Sequence, residues 1–202
     1  LAQTFDSKSS KIEQAFPEES TRPGKAQPIA GQDRTPMNIL LMGSDSRGAT
    51  EADAVKGAAT DQRADTLMLV HIPADRKNLY VMSVMRDLWV EIPGHGQAKV
   101  NAALALGGTP LMVETIESIF KQRIDHVAMI DFEGFKGLTD ALGGVTVDIK
   151  QSFTPAHLKG HTFQAGPNNL NGDEALAFVR ERYAYADGDY QRVRNQPDYL
   201  KA

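Results

Sequence analysis

The stretch Asn38-Ile39-Leu40-Leu41-Met42-Gly43 is a short, nearly unbroken apolar run, the pattern of a β-strand covered on both faces. Two further runs follow, Thr66 to Ile72, closed by Pro73, and Asn78 to Met85, joined by the polar turn Ala74-Asp75-Arg76-Lys77. Three strands so connected predict an antiparallel meander. Leu88 to Ile92 prolongs this region as far as Pro93-Gly94. The period then changes: Val100 to Leu106 and Pro110 to Phe120 are predicted as helices separated by Gly107-Gly108. Leu111, Met112, Thr115, Ile116, Ile119 and Phe120 fall on one face of the second. A strand over Ile124 to Ile130, a helix from Phe132 to Leu142 stopped by Gly143-Gly144, and a strand over Val145 to Ile149 continue the alternation. Residues 152 to 171 form a Pro/Gly/Asn-rich connection, and a last helix starts at Gly172, with Asn171 or Asp173 near its N-terminus. The rhythm is that of an α/β protein.

Composition narrows the picture. The 202 residues suffice for one domain with a substantial core, and no run approaches the ~18 apolar residues of a membrane-spanning helix. The absence of cysteine removes disulfides, thiolate nucleophiles and Cys-ligated zinc. A net charge of -4 and a pI near 5.7 argue against a general nucleic-acid binder, whose domain pI usually exceeds about 9. Residues 1 to 36 carry five acids, five bases and four prolines without a helical or strand period, and are expected to form a linker or loosely packed lead-in. The domain proper is expected over 37–202.

The candidate chemistry lies in two clusters. If the first three strands form a meander, the end of the first, the start of the second and the end of the third share one sheet edge. That edge would collect Asp45, Asp65 and Arg86, with Arg47 and Arg63 in the intervening polar loop. One or two carboxylates suit a hard divalent cation that shares its other positions with phosphate oxygens, and arginine forks suit phosphate itself. Read locally, the same residues also fit solvated strand ends and surface ion pairs. The second cluster runs from Arg180 to Gln196 and holds four arginines in 15 positions. Arg180 and Arg182 would stand about 200° apart on a continuous helix. Two arginines sharing one ligand therefore predict that the helix from Gly172 ends near Arg180 and the chain straightens.

These stretches resemble the LytR-CpsA-Psr family of bacterial cell-envelope enzymes. The resemblance rests on Asn38 to Arg47, Arg63-Ala-Asp65-Thr66, Ser83-Val-Met-Arg86-Asp87, Lys99-Val-Asn101-Ala-Ala, Gly107-Gly108 and Gly143-Gly144-Val145. It continues through Gly172-Asp-Glu-Ala175-Leu176, Arg180-Glu-Arg182-Tyr183, Gly188-Asp189-Tyr-Gln-Arg192 and Gln196. Two departures stand out. Ser83-Val84-Met85-Arg86 lacks the proline often found before the arginine, and Arg194-Asn195-Gln196 replaces the common Arg-Gln-Gln, so Arg194 inherits no role.

The resemblance implies a three-layer α/β/α fold with a central mixed sheet and an apolar lipid tunnel between sheet and helices, with the chain stopping inside the C-terminal helix. It implies a phosphotransferase at the outer face of the cytoplasmic membrane, held there by an N-terminal anchor missing from this sequence. Such an enzyme moves a glycopolymer from a polyprenyl-pyrophosphate carrier to a peptidoglycan hydroxyl or a surface-protein acceptor. Carried over by motif, Asp45 and Asp65 are the Mg²⁺ carboxylates, and Arg63, Arg86, Arg180, Arg182 and Arg192 are pyrophosphate contacts. Lys99 and Gln196 match further head-group positions, and Arg47 joins them by proximity. Asp189 either orients Arg192 or accepts the incoming hydroxyl's proton, and a carboxylate among arginines favours the first. Two other functions use the same residues: hydrolysis of the lipid pyrophosphate with water as acceptor, and lipid-carrier binding without turnover. His71, inside an apolar strand without a partner motif, reads as a satisfied sheet histidine, and Trp89 as packed near a strand end rather than as a substrate platform.

Overall fold

A computed structural model of the chain describes residue 12 and residues 14–31, 34–44, 64–181 and 189–202. The chain divides into two compact units, Leu1–Ile130 and Asp131–Ala202.

In the first unit the apolar runs form a four-stranded sheet in the order β3-β2-β1-β6, built from β1 (Met37–Ser44), β2 (Ala64–Ile72), β3 (Tyr80–Ser83) and β6 (His126–Asp131). The first three make the expected antiparallel meander, with Leu40 opposite Leu69 and Met68 opposite Ser83. The Asp125 N–H donates to the Asn38 carbonyl at 2.8 Å, joining the starts of β1 and β6 and making the sheet mixed. Leu67 to Val70 are all buried, as a run without polar alternation requires. His71 is the satisfied sheet histidine expected: its Nδ1 meets Asn38 Oδ1, from the residue directly opposite, at 2.8 Å.

Beyond Arg86 the chain forms a separate hairpin, β4 (Trp89–Ile92) paired with β5 (Gly96–Lys99). The sequence pattern hid β5 because Gly96-Gln97-Ala98-Lys99 has little strand propensity; cross-strand pairing, not propensity, makes the strand. Helix α1 (Ala102–Phe120) joins the two helices expected separately, bending at Gly107 and Gly108. Gly108 adopts φ 66°, ψ −161°, open essentially to glycine alone. Pro110 stands in the first turn after the bend, where no helical N–H is needed. The stripe of α1 faces the core, where Met112, Thr115 and Ile116 are buried with Leu40, Met42, Leu67 and Ile92.

The lead-in is docked in part, contrary to a loose linker. Arg22 pairs with Glu117 of α1 at 2.8 Å and stacks over Phe16 at 4.5 Å, and Phe16 packs against the core. Arg123 in turn donates to the Pro23 carbonyl and to Glu19. Isolated charged residues in a polar segment give no sequence signal of such pairing, because their partners lie about a hundred positions away.

The second unit contains α2 (Phe132–Ala141), β7 (Val145–Ile149) paired with β8 (Gly166–Leu170), α3 (Gly172–Arg180) and α4 (Asp189–Lys201). The supposed connection 152–171 thus supplies a strand, and its Phe153 and Phe163 exchange backbone hydrogen bonds while stacking with ring centroids 4.9 Å apart. Asn171 caps α3 in a reciprocal box with Glu174. Gly172 is required by proximity, since a Cβ there would lie 2.6 Å from the Lys136 carbonyl oxygen of α2.

Candidate functional site

The residues singled out by sequence divide between the units. In the first, the ladder brings the end of β1, the start of β2 and the end of β3 together: Gly43 lies opposite Thr66, and Val84, just past β3, donates to the Leu67 carbonyl at 2.8 Å. Gly43 pairs with Thr66 but Ser44 with Ala64, so Asp65 is the extra residue of a β-bulge. Bulges re-aim side chains and are common beside functional sites. The Asp65 side chain lies outside the described parts, as do residues Asp45, Arg47 and Arg63.

Arg86 follows directly on this edge. Its backbone is pinned by the Asn101 N–H, which donates to the Arg86 carbonyl at 3.2 Å, and its Nε lies 3.5 Å from Asp87 Oδ2. Lys99 Nζ donates to the other Asp87 oxygen at 2.8 Å. That hydrogen bond, with the neighbouring Lys99 and Arg86 charges, holds the Asp87 carboxyl below the usual carboxylate range. Asp87 is thus the organiser of two cations proposed for phosphate. Sequence reasoning gave it no role, although it stands beside Arg86 in the motif; what was missing was the return of β5, which delivers Lys99 to the same spot.

In the second unit, α3 ends at Arg180 and the backbone of Glu181 is extended at φ −62°, ψ 130°, as two arginines serving one ligand require. The Arg180 guanidinium lies over the Phe132 ring, 4.1 Å from its centroid, an orientation that a solvated arginine would not keep. Glu181 is fully buried and accepts the Ala156 N–H at 2.7 Å, fastening the chain as it leaves the helix. This is a second positioning residue that sequence reasoning missed; its only signal was its place between Arg180 and Arg182. Arg182 lies outside the described residues. Asp189 and Arg192 belong to α4, their side chains outside the described parts, and Gln196, one turn beyond Arg192, is buried. Neighbouring Asn195 donates to the Phe178 carbonyl at 3.0 Å, tying α4 to α3.

Among the described residues, no three His, Asp or Glu side chains gather to hold a metal, and no helix is long and apolar enough to cross a membrane. In the first unit Asp87 holds Arg86 and Lys99, and in the second the Phe132 ring holds Arg180; guanidinium and ammonium groups fixed in these ways suit anionic oxygens.

Comparison with known proteins gives the family. The model of the LytR_cpsA_psr family matches residues 1–202. A Bacillus mycoides protein named polyisoprenyl-teichoic acid–peptidoglycan teichoic acid transferase TagU is 35% identical over 168 residues, 83% of this chain and 51% of its own length. The crystal structure of Bacillus subtilis TagV superimposes with a TM-score of 0.70 at 31% identity, covering 84% of this chain and 64% of that one. TagT with bound octaprenyl pyrophosphate lipid does so with a TM-score of 0.68 at 26% identity, covering 93% and 71%. The chain therefore spans about half the length of the curated relatives it matches.

Proposed function

This chain belongs to the LytR-CpsA-Psr family, and from that premise we propose that it is a phosphotransferase of cell-wall assembly. It transfers an anionic glycopolymer from a polyprenyl-pyrophosphate carrier to a peptidoglycan hydroxyl, at the outer face of the cytoplasmic membrane. The observation that supports the reading is the anchoring of Arg86 and Lys99 by Asp87 just past the end of β3, in a chain whose relatives bear this activity in their names.

In this reading the acceptor hydroxyl attacks the phosphorus that bears the sugar. A new P–O bond forms as the acceptor hydroxyl gives up its proton to solvent, the bridging P–O bond breaks, and polyprenyl phosphate leaves with the bonding electrons. Arg86 and Lys99, with Arg47 and Arg63, and Arg180, Arg182, Arg192 and Gln196 are the proposed pyrophosphate contacts. Their charges are worth most as negative charge accumulates on the bridging oxygen, so catalysis is chiefly electrostatic positioning. Asp189 is the proposed organiser of Arg192. We propose that Asp65, on the bulge, and Asp45, one residue beyond the end of β1, would hold Mg²⁺, an ion that takes one or two carboxylates when it shares phosphate oxygens. Bound there, Mg²⁺ would offset diphosphate charge. The lipid is proposed to lie in an apolar tunnel lined from the α1 stripe, and a membrane anchor N-terminal to this sequence is part of the same proposal.

The test supplies lipid-pyrophosphate-linked teichoic acid with and without peptidoglycan. Polymer joined to peptidoglycan, with Arg86→Ala and Arg180→Ala each lowering the rate about 10²–10³-fold, supports the proposal. Release of polymer into water at the same rate with or without acceptor identifies a hydrolase and overturns it.

A further inference from the structure

Trp89 does not pack at a strand end. It is 63% exposed, while its neighbours Val90 and Ile92 turn inward to the core. Strand alternation and the pairing of Trp89 with Lys99 and Glu91 with Gln97 put these four residues on one outer face of β4–β5. The indole is held, not loose: its Nε1–H donates to Gln97 Oε1, diagonally across the hairpin, at 3.2 Å. An aromatic plane fixed by a neighbour and ringed by a carboxylate, an amide and an ammonium group is the chemistry of sugar recognition. The electron-rich ring face attracts the polarised C–H groups of a pyranose, and the polar rim takes its hydroxyls and amides.

We infer that the outer face of the β4–β5 hairpin is the platform on which the acceptor glycan of peptidoglycan rests, with Trp89 stacked on one of its sugars. The inference deepens the proposed function and rests on it. Glu91 favours the acceptor over the donor polymer: its carboxylate repels a phosphate-linked polyanion and accepts from the hydroxyls of an N-acetylated sugar backbone, whereas Asp87 is already bonded to Lys99 and Arg86. Position agrees, because Lys99, opposite Trp89, is hydrogen-bonded to Asp87, which stands beside Arg86, so the platform is continuous with the proposed phosphate contacts. Carboxylates on the face also speak against a lipid surface, although Leu88 and Met85 are partly exposed in the preceding turn.

Trp89 is the sole tryptophan of the chain, so intrinsic emission reports this one side chain. The intact protein is titrated with the β-1,4-linked tetramer of N-acetylglucosamine. A saturable change in emission is expected, with the dissociation constant raised about tenfold by Glu91→Ala or Gln97→Ala. In the transfer assay Trp89→Ala is expected to raise the KM for peptidoglycan about tenfold, leaving the KM for the lipid donor unchanged and Trp89→Phe intermediate. Emission unmoved by the tetramer, or moved instead by phosphatidylglycerol vesicles or by polyglycerol phosphate, overturns the inference. The two readings fail separately: transfer with unaltered acceptor KM in Trp89→Ala sinks the platform alone, while a platform that binds the tetramer in a protein without transferase activity sinks the proposed function.

Discussion

Replacing Glu117 by alanine should destabilise the first unit far more than a surface charge would. Its side chain is 2% exposed and that of Arg22 6%, so both charges have been taken out of water. Glu117 accepts from Arg22 Nη2 at 2.8 Å and from the Ile124 N–H at 2.8 Å, while Arg22 Nη2 also reaches the Ile124 carbonyl. Glu117→Ala leaves a buried guanidinium with only the longer, exposed Glu19 contact at 3.6 Å for counter-charge, and an amide without its acceptor. Breaking such a pair costs about 3–5 kcal/mol, against about 0–1 kcal/mol for an exposed one. Arg22→Ala strands the carboxylate instead and should cost about the same. The double variant removes both charges, leaving chiefly the Ile124 amide unsatisfied, at about 1–3 kcal/mol. The double-mutant cycle, measured by urea unfolding, should therefore show a coupling of several kcal/mol, and the apolar pair Arg22→Met with Glu117→Leu should cost no more than the double alanine variant. If Arg22→Ala costs less than about 1 kcal/mol, the guanidinium is in water and the lead-in is not docked on α1. That single result refutes the argument even if Glu117→Ala fails to fold.

Asn171→Ala removes half of the capping box of α3 and should cost about 1 kcal/mol in urea unfolding, while Asn171→Asp restores most of it. Gly172→Ala places a methyl 2.6 Å from the Lys136 carbonyl oxygen and 2.8 Å from its Cα, which only separation of α2 and α3 relieves; a loss of about 1–3 kcal/mol is expected by thermal unfolding. For Asp87, the Lys99 hydrogen bond lowers the carboxyl's folded-state pKa, so its stabilisation is present above the ordinary carboxylate range and is lost as pH falls through the lowered value. Because the pair is half exposed, the effect on acid unfolding is shallow; Asp87→Asn should remove that component of the pH dependence, and a curve unchanged by the substitution would show that the pair is not formed.

Features that depend on local pattern were legible from the residues alone. Apolar runs without alternation marked β1 and β2 as strands covered on both faces, and periodicity with punctuation by glycine and asparagine marked α1, α2 and α3. The steric opposition of Arg180 and Arg182 on a helix was enough to predict where α3 stops. The motif series identified the family because it consists of special residues in fixed order. Features that depend on partners distant in the chain emerged with the fold. Gly96 to Lys99 and Gly166 to Leu170 lack strand propensity and become strands through pairing. Arg22 finds Glu117 only after α1 has packed on the sheet. Asp87 becomes an organiser only when β5 returns Lys99 to it, and Trp89, expected to pack near a strand end, is turned outward because β4 alternates and Val90 and Ile92 take the inner face. Propensity and period are properties of a few consecutive residues, whereas ion pairs, hairpin faces and bulges are set by which segments meet, and that information is spread over the whole chain.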